Sequence, residues 1–363
     1  MTTKYPFYLK STVILLGLTL IVYALSFLGD ILIPLSFAAM LAILVNPLCN
    51  WFQSKKIPRT LSITFSLLSA MLLFGAIGYF VSSQLTSFTT EMPLLKKKCI
   101  ELFTNLQYEI DNRLGIKIQK QNEWLSEAQA QLKPMAGNAI TGLFGTLSVL
   151  LLLPVYAFLI LYYKTLLINF IYELFAKEKG RTSEVATVLS QTKGAIQSYM
   201  FGLLIEALIV AILNSAALLL IGVKYAILIG VIGALLNVLP YIGGIVAIAL
   251  PVLIATITKE GFQSQLWVVF AYLIIQFIDN NFLVPYIVSS KVKINALISI
   301  LIVLLGGALW GISGMFLSIP FIGILKIIFD RIPELKPWGK LLGDEMPTKH
   351  LGRLRRTRKK QAA

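Results

Sequence analysis

Charged side chains are scarce in this chain of 363 residues. Only 13% of the residues are charged and 57% are hydrophobic, whereas soluble domains carry about 25% charged residues. Several runs also exceed the roughly 18 apolar residues that indicate a membrane span. One water-soluble core cannot bury this much apolar surface, so we predict an all-α, polytopic helical integral membrane protein.

Histidine and cysteine are nearly absent as well. The only histidine is His350 in the C-terminal tail, and the two cysteines, Cys49 and Cys99, lie far apart in the sequence. A histidine metal site or a Ser-His-Asp triad is therefore excluded from the membrane region, and the sequence has no phosphate-binding Walker A pattern. We expect neither an enzyme nor an ATP-driven pump, and no cofactor.

The net charge is +15, and six of the basic residues are clustered in the C-terminal tail. No aromatic side chain lies between the basic residues there, so bases would have nothing to stack on. A basic tail after a membrane domain is typical of a cytoplasmic end beside anionic lipid. We predict contact with membrane lipid and not with nucleic acid. The clustered residues are Arg353, Arg355, Arg356, Arg358, Lys359 and Lys360.

Six apolar stretches have the length of a full span, and a tight turn at Gly29–Asp30 joins the first two. The short loop after the second span carries Lys55, Lys56 and Arg59, which favours a cytoplasmic position. This places both termini in the cytoplasm. The predicted spans are 11–28, 31–50, 60–82, 139–163, 198–222 and 266–288.

A polar segment of mixed charge interrupts the spans. Its apolar residues recur at helical spacing, which predicts a small extracytoplasmic insert of two amphipathic helices, broken near Gly115. The stretch from Lys164 to Lys193 is predicted to be a cytoplasmic loop, and the second half begins near Gln197. The predicted divisions are 1–82, 83–137, 138–195, a transport unit at 196–332 and the tail at 333–363.

Two further apolar segments, Tyr225–Ile257 and Ile294–Ile328, contain Gly and Pro near their middles. The first would be about 50 Å long as one helix, against a hydrocarbon core of about 30 Å. We predict two re-entrant hairpins in an inverted repeat, a layout common in secondary transporters. The alternative is eight spans, two of them kinked. A shift of 69 positions aligns three residues of the first segment, Lys224, Tyr241 and Pro251, with Lys293, Trp310 and Pro320.

The candidate site residues lie at membrane depth. Carboxylates there are costly and are typical of ion or proton sites, although neighbouring amides could also satisfy them structurally. The glycines permit either solute contact or close helix packing. The candidates for ion coupling are Glu206, Gln276, Asp279 and Asn280. The candidates for the solute site are Asn237, Pro240, Gly243, Gly244, Gly306, Gly307, Gly311 and Gly314.

Three motifs in the second half resemble the autoinducer-2 exporter family of membrane transporters. They are "NVLPYIGGIVAIALPVL" from Asn237, "QFIDNNFLVPYIV" from Gln276 and "LLGGALWGISGMFLSIP" from Leu304. The match covers about 196–335, and it departs from the family pattern at Ala296, where many members have proline. The resemblance implies an inner-membrane transporter that forms a homo-oligomer, with family members that export autoinducer-2 or exchange cations for protons.

We therefore predict a secondary transporter that exports or exchanges a small polar solute, such as autoinducer-2 or a related signal, coupled to protons or sodium. A cation/proton antiporter is one alternative. A passive channel-like facilitator or a non-transporting membrane scaffold is the other.

Overall fold

A computed structural model describes residues 6–124, 126–127, 130, 152–175, 181–238, 243–259, 262–288 and 294–344. The described residues form helices and short connections without a named strand. Six of the helices are long and apolar enough to cross a membrane, which confirms the helical membrane fold. The helices are α1 (Phe7–Phe27), α2 (Gly29–Ser54), α3 (Arg59–Leu114), α4 (Leu152–Tyr162), α5 (Lys164–Phe175), α6 (Arg181–Ile221), α7 (Ala226–Asn237), α8 (Gly243–Thr258), α9 (Gln263–Ile278), a π-helix (Asp279–Val288), α10 (Ala296–Arg331) and α11 (Lys336–Leu342).

The first two spans meet at Leu28, next to the predicted turn, because α1 ends at Phe27 and α2 begins at Gly29. Helix α2 packs against α3 and α6. Gln197 on α6 donates a hydrogen bond of 2.8 Å to the carbonyl oxygen of Ile43 on α2. The N-terminal spans are thus joined to the second half of the chain through α2.

The polar insert does not begin with a helix of its own. Helix α3 runs without interruption from Arg59 to Leu114 and ends at Gly115, whose positive φ of 69° stops it. The predicted break at Gly115 is present, but the predicted division at residue 83 is not a helix boundary. Polar composition indicates that a segment leaves the membrane, whereas the backbone hydrogen bonds of a helix can continue into water.

The segment from Lys164 to Lys193, predicted to be a cytoplasmic loop, contains helices in its described residues. Helix α5 follows α4 with a bend of 62°, and α6 already begins at Arg181. The described part of α5 has no buried residue. Lys164, Thr165, Asn169 and Glu173 interrupt its apolar side chains, as on a helix that lies at a membrane interface.

The first broken segment folds back on itself. Helices α7 and α8 are antiparallel, because Gly233 lies against Ala247 and Ala226 packs in one core with Ile254 and Ala255. The arms have 12 and 16 residues, or about 18 and 24 Å. Each arm is therefore shorter than a bilayer core, as the predicted re-entrant hairpin requires.

The second broken segment also folds back. Helix α10 leaves helical geometry at Trp310 and Gly311, where Gly311 has a φ of 60°. Ser318 on the second arm donates a hydrogen bond of 2.9 Å to the carbonyl oxygen of Ile302 on the first. A kinked span would place its arms end to end, so these contacts favour hairpins over the eight-span alternative.

Two sets of contacts place the hairpins against the rest of the protein. Helix α7 lies so close to α6 that a methyl group added at Gly230 would sit 2.6 Å from the backbone nitrogen of Ser215. Trp310, at the tip of the second hairpin, donates a hydrogen bond of 2.9 Å to the carbonyl oxygen of Leu25 at the end of α1. Both hairpins thus pack against neighbouring helices, and the tip of the second is anchored to the end of α1.

Candidate functional site

Two carboxyl groups from different helices meet inside the protein. Glu206 lies in the middle of α6 and Asp279 at the junction of α9 with the π-helix, and their exposed fractions are 5% and 2%. Helix α6 packs against the π-helix, and the two carboxyl groups lie close enough to interact electrostatically. Carboxyl groups can make such a contact without mutual repulsion only when a proton lies between them, so the pair is suited to holding a proton.

Asn237 completes the site from the first hairpin. Its side-chain Nδ2 donates a hydrogen bond of 2.8 Å to Oδ2 of Asp279. The other oxygen, Oδ1, is buried and accepts no hydrogen bond from an amide, hydroxyl or amine of the described chain. One oxygen of Asp279 is therefore fixed by the hairpin, and the other is available to a proton or an ion.

The backbone changes form at Asp279. The α-helical pattern of α9 ends at Ile278, and a π-helix runs from Asp279 to Val288 with Pro285 inside it. Proline supplies no backbone N–H group, so the regular helical hydrogen bonds cannot continue unchanged through it. Wide helical turns of this kind often occur at functional sites, and here the turn begins with the buried carboxyl.

The other two predicted ion-coupling residues lie outside the pair. Asn280 is exposed, and Gln276 donates a long hydrogen bond of 3.4 Å to its Oδ1. Asp279 is buried while its neighbour Asn280 is exposed, so the two side chains lie in different surroundings. The contacting groups are Glu206, Asp279 and Asn237.

The predicted solute-site residues are divided among three environments. Gly243 and Gly244 begin α8, next to the tip of the first hairpin. Gly306 and Gly314 are the closest point between the two arms of α10, and each would collide with the other's carbonyl group if it carried a methyl. Gly307 faces the Met315 side chain, Gly311 is exposed at the second tip, and Pro240 lies outside the described residues.

Several polar residues of the interior were not identified as candidates from the sequence. Tyr272 and Gln265 on α9 are 3% and 7% exposed, and Asn214 on α6 is 2% exposed. Gln265, Tyr272 and Asp279 are spaced by seven residues, and this spacing places them on one helical face. It is the signal from which the two α9 residues could have been found.

Comparisons with known proteins agree with this architecture. The family described as AI-2E family transporter matches residues 13–334. YrrI of Bacillus subtilis (strain 168), provisionally named a transport protein, is 26% identical over 306 residues, covering 82% of this chain and 85% of YrrI. The AI-2 transport protein TqsA of Escherichia coli (strain K12) is 24% identical over 338 residues, covering 92% of this chain and 95% of TqsA.

A third relative matches a shorter region. PerM of Escherichia coli (strain K12), provisionally named a permease, is 31% identical over 197 residues, which cover 54% of this chain and 55% of PerM. The family match spans most of the chain, and the described helices form a multi-pass arrangement with a buried carboxyl pair. This protein therefore belongs to the AI-2E transporter family and is a membrane transporter.

Proposed function

We propose that this protein is a secondary transporter that exports or exchanges a small polar solute and couples this movement to protons. The observation that carries the proposal is the burial of Glu206 and Asp279 on two helices that pack together, with Asp279 held by Asn237. The contact lies where the two repeat units and the first hairpin meet, so a change of protonation there would act on all three.

Elementary electrostatics supports proton coupling at this pair. Two negative charges about 4 Å apart repel by about 4 kcal/mol at an effective dielectric constant of about 20. A proton shared by the pair removes this repulsion, and its loss restores it. Protonation would therefore favour the packed arrangement of α6 against the π-helix, whereas deprotonation would favour their separation.

The position of the pair would turn this local repulsion into a conformational change. Helix α6 precedes the first hairpin, and α9 with the π-helix precedes the second. Transporters with inverted repeats exchange access by moving one unit against another around a central site. Proton release at Glu206 and Asp279 would shift the population toward the alternative packing of the two units.

The tips of the two hairpins are the proposed solute site. Their glycines and the interruption at Trp310–Gly311 expose backbone groups that can hydrogen-bond a small polar molecule, and irregular backbone at membrane depth lines cavities or is buried in protein. TqsA is named for AI-2 transport, so autoinducer-2 is the first solute to test. We further propose a homo-oligomer in the bacterial inner membrane, with both termini in the cytoplasm.

The test uses the purified full chain in liposomes that contain a pH-sensitive dye. Autoinducer-2 is added on one side, and the movements of protons and solute are recorded together. In the wild type we expect proton movement only when the solute is present. In Asp279→Asn and Glu206→Gln this solute-dependent proton movement should be lost. Glu184→Gln is the matched control because Glu184 is an exposed carboxylate on the same helix, α6, and should leave coupling unchanged.

Each other outcome assigns a different function. Proton movement caused by sodium or potassium but not by autoinducer-2 would indicate a cation/proton antiporter. Solute movement that ignores the proton gradient would indicate a passive facilitator. Normal coupled transport in both carboxyl variants would refute the role of the pair, and absence of any flux in the wild type would favour a scaffold.

The proposed topology is tested separately by cysteine labelling. Lys259→Cys is introduced after Cys49 and Cys99 have been replaced, since Lys259 follows α8 directly. An impermeant reagent added outside intact cells should label position 259 if the first hairpin is re-entrant and the N-terminus is cytoplasmic. Labelling only after the cells are opened would refute this orientation.

A further inference from the structure

Buried polar atoms without partners are concentrated on two facing helices. Five side chains of the described chain contain such an atom, and four of these lie on α6, on α9 or at the α9–π junction. Buried polar groups in proteins are normally hydrogen-bonded, so this concentration calls for an explanation. The four atoms are Oδ1 of Asn214, Oε1 of Gln265, the hydroxyl of Tyr272 and Oδ1 of Asp279.

These residues follow a single line through the protein. Gln265, Tyr272 and Asp279 are separated by seven residues each, or about 10 Å per step along the helix. Asn214 lies eight residues after Glu206 on α6, about 12 Å away. We call the set Glu206, Asp279, Asn214, Tyr272 and Gln265 the polar column.

The two helices bring the members of the column together in matching levels. Glu206 meets Asp279, and Asn214 and Tyr272 both face Gly233 on α7. A methyl group at Gly233 would lie 3.4 Å from Nδ2 of Asn214 and 3.6 Å from the hydroxyl of Tyr272. From the first level to the second, residue numbers rise along α6 and fall along α9. The two helices are therefore antiparallel, and each further level lies further along both of them.

The last level lies near the end of the helices. Gln265 is the third residue of α9. In the same region α6 ends at Ile221, and a methyl group at the following Gly222 would lie 3.0 Å from Nζ of Lys259. The column therefore leads from the carboxyl pair to the end of the bundle where α8 finishes and α9 begins, which we call the α8–α9 end.

Apolar layers separate the levels. Val210 and Ile275 lie between the first and second levels, and Leu218 and Val268 lie between the second and third; all four are buried. Polar side chains that only joined helices would bond to each other, whereas these leave acceptors and a hydroxyl unpaired. The pattern is that of a polar path closed by apolar layers in this conformation.

We propose that the polar column is the route by which protons travel between the Glu206–Asp279 pair and the α8–α9 end. This inference rests on the proposed function, because it names the path used by the coupling proton. Tyr272, whose hydroxyl can both donate and accept, is the relay at the middle level, with Asn214 as its neighbour. Separation of the apolar layers during the transport cycle opens the route between the carboxyl pair and the α8–α9 end.

The charged and titratable groups around the route are few. Tyr199 lies two helical turns from Glu206 on α6 and is buried. The lysines near the α8–α9 end follow α6 and α8 and lie beyond the buried part of the column. The groups that face or adjoin the route are Glu206, Asp279, Tyr199, Tyr272, Lys224 and Lys259.

The experiment measures protonation of the carboxyl pair from each side of the membrane. The full chain is inserted in one orientation into liposomes, and the pH is set independently on the two sides. Dicyclohexylcarbodiimide reacts with protonated carboxyl groups in membranes, and its attachment to Glu206 is followed by mass spectrometry after a pH jump. The variants are Tyr272→Phe and Asn214→Leu, and the matched control is Tyr286→Phe, which removes a hydroxyl that is exposed on the π-helix.

We expect wild-type labelling to follow the pH on the α8–α9 side. Both variants should respond to that side at least about tenfold more slowly, as for loss of a positioned proton-transfer group, and Tyr286→Phe should respond as the wild type does. The final labelling at equal pH on both sides should match the wild type in every variant, which shows that the site is still folded.

Two results would overturn the route: variants that respond as fast as the wild type, or wild-type labelling that ignores the pH on the α8–α9 side. Failure of the proposed function is distinguishable from both. In that case labelling follows the pH on the α8–α9 side and slows in the variants, but the dye assay detects no proton movement coupled to a solute.

Discussion

The contact between Gly306 and Gly314 allows a strict test of the second hairpin. Replacing Gly314 with alanine adds a single methyl group. That methyl would overlap the carbonyl oxygen of Gly306 and lie 2.6 Å from its carbonyl carbon, whereas ordinary contacts of such a group are 3.4 Å or longer. Both obstructing atoms are backbone, so the two arms must separate by at least about 0.8 Å, the shortfall at the carbonyl carbon alone.

The expected change in the free energy of unfolding combines two destabilising contributions and one stabilising contribution. Overpacking of this kind costs about 1–3 kcal/mol. Separation of the arms also weakens the hydrogen bond from Ser318 to Ile302, worth about 1 kcal/mol. Alanine regains about 1 kcal/mol in helix propensity over glycine. The free energy of unfolding should therefore fall by about 1–3 kcal/mol, equivalent to a decrease in Tm of several degrees, at about 2–4 °C per kcal/mol.

Gly307→Ala in the same arm is the matched control. Its methyl would meet only the Met315 side chain, at 2.6 Å from Cε and 3.0 Å from Cγ. Methionine is flexible and can move aside, so the gain in helix propensity remains. Thermal unfolding of both variants in detergent, followed by tryptophan fluorescence, should show Gly314→Ala clearly less stable than Gly307→Ala. Equal stability, or the reverse order, would refute the packed antiparallel arms and reopen the kinked-span alternative.

Three further predictions concern the connections of the transport unit. Trp310→Phe removes the hydrogen bond to the carbonyl of Leu25 and should lower the free energy of unfolding by about 1 kcal/mol and speed proteolysis near the α1–α2 turn; unchanged proteolysis would contradict the anchor. Gly230→Ala should cost at least as much as a typical overpacking substitution, about 1–3 kcal/mol, because the new methyl meets the backbone of Ser215; a rise in Tm would contradict the close α6–α7 contact. Lys56→Gly should raise the free energy of unfolding by about 1 kcal/mol because Lys56 has a φ of 65°, which glycine adopts without strain; a lower Tm would show that the lysine side chain matters more than its backbone.

Composition and hydropathy determined most of the fold before any tertiary contact was known. Apolar runs of span length predicted the membrane helices, because hydrocarbon excludes unpaired backbone and charged side chains. Gly311 and Gly115 lie at observed breaks with positive φ, because a left-handed backbone favours glycine. The resemblance to the exporter family was also confirmed. In contrast, the loop predicted at 164–193 is helical, since local polarity does not determine whether a helix ends.

The site is formed by residues that are far apart in the sequence, and no local sequence pattern specifies which of them meet. The sequence by itself identified Glu206, Asp279 and Asn237 as separate polar residues in apolar surroundings. Only the tertiary structure brought them together, because Asn237 and Asp279 are 42 residues apart and meet through the packing of a hairpin against α6 and the π-helix. The same packing buries Asp279 but leaves its neighbour Asn280 exposed. It also places Asn214 and Tyr272 at the same level, beside Gly233. A contact between distant segments is decided by which helical faces pack together, and that choice depends on the shape of the whole transport unit.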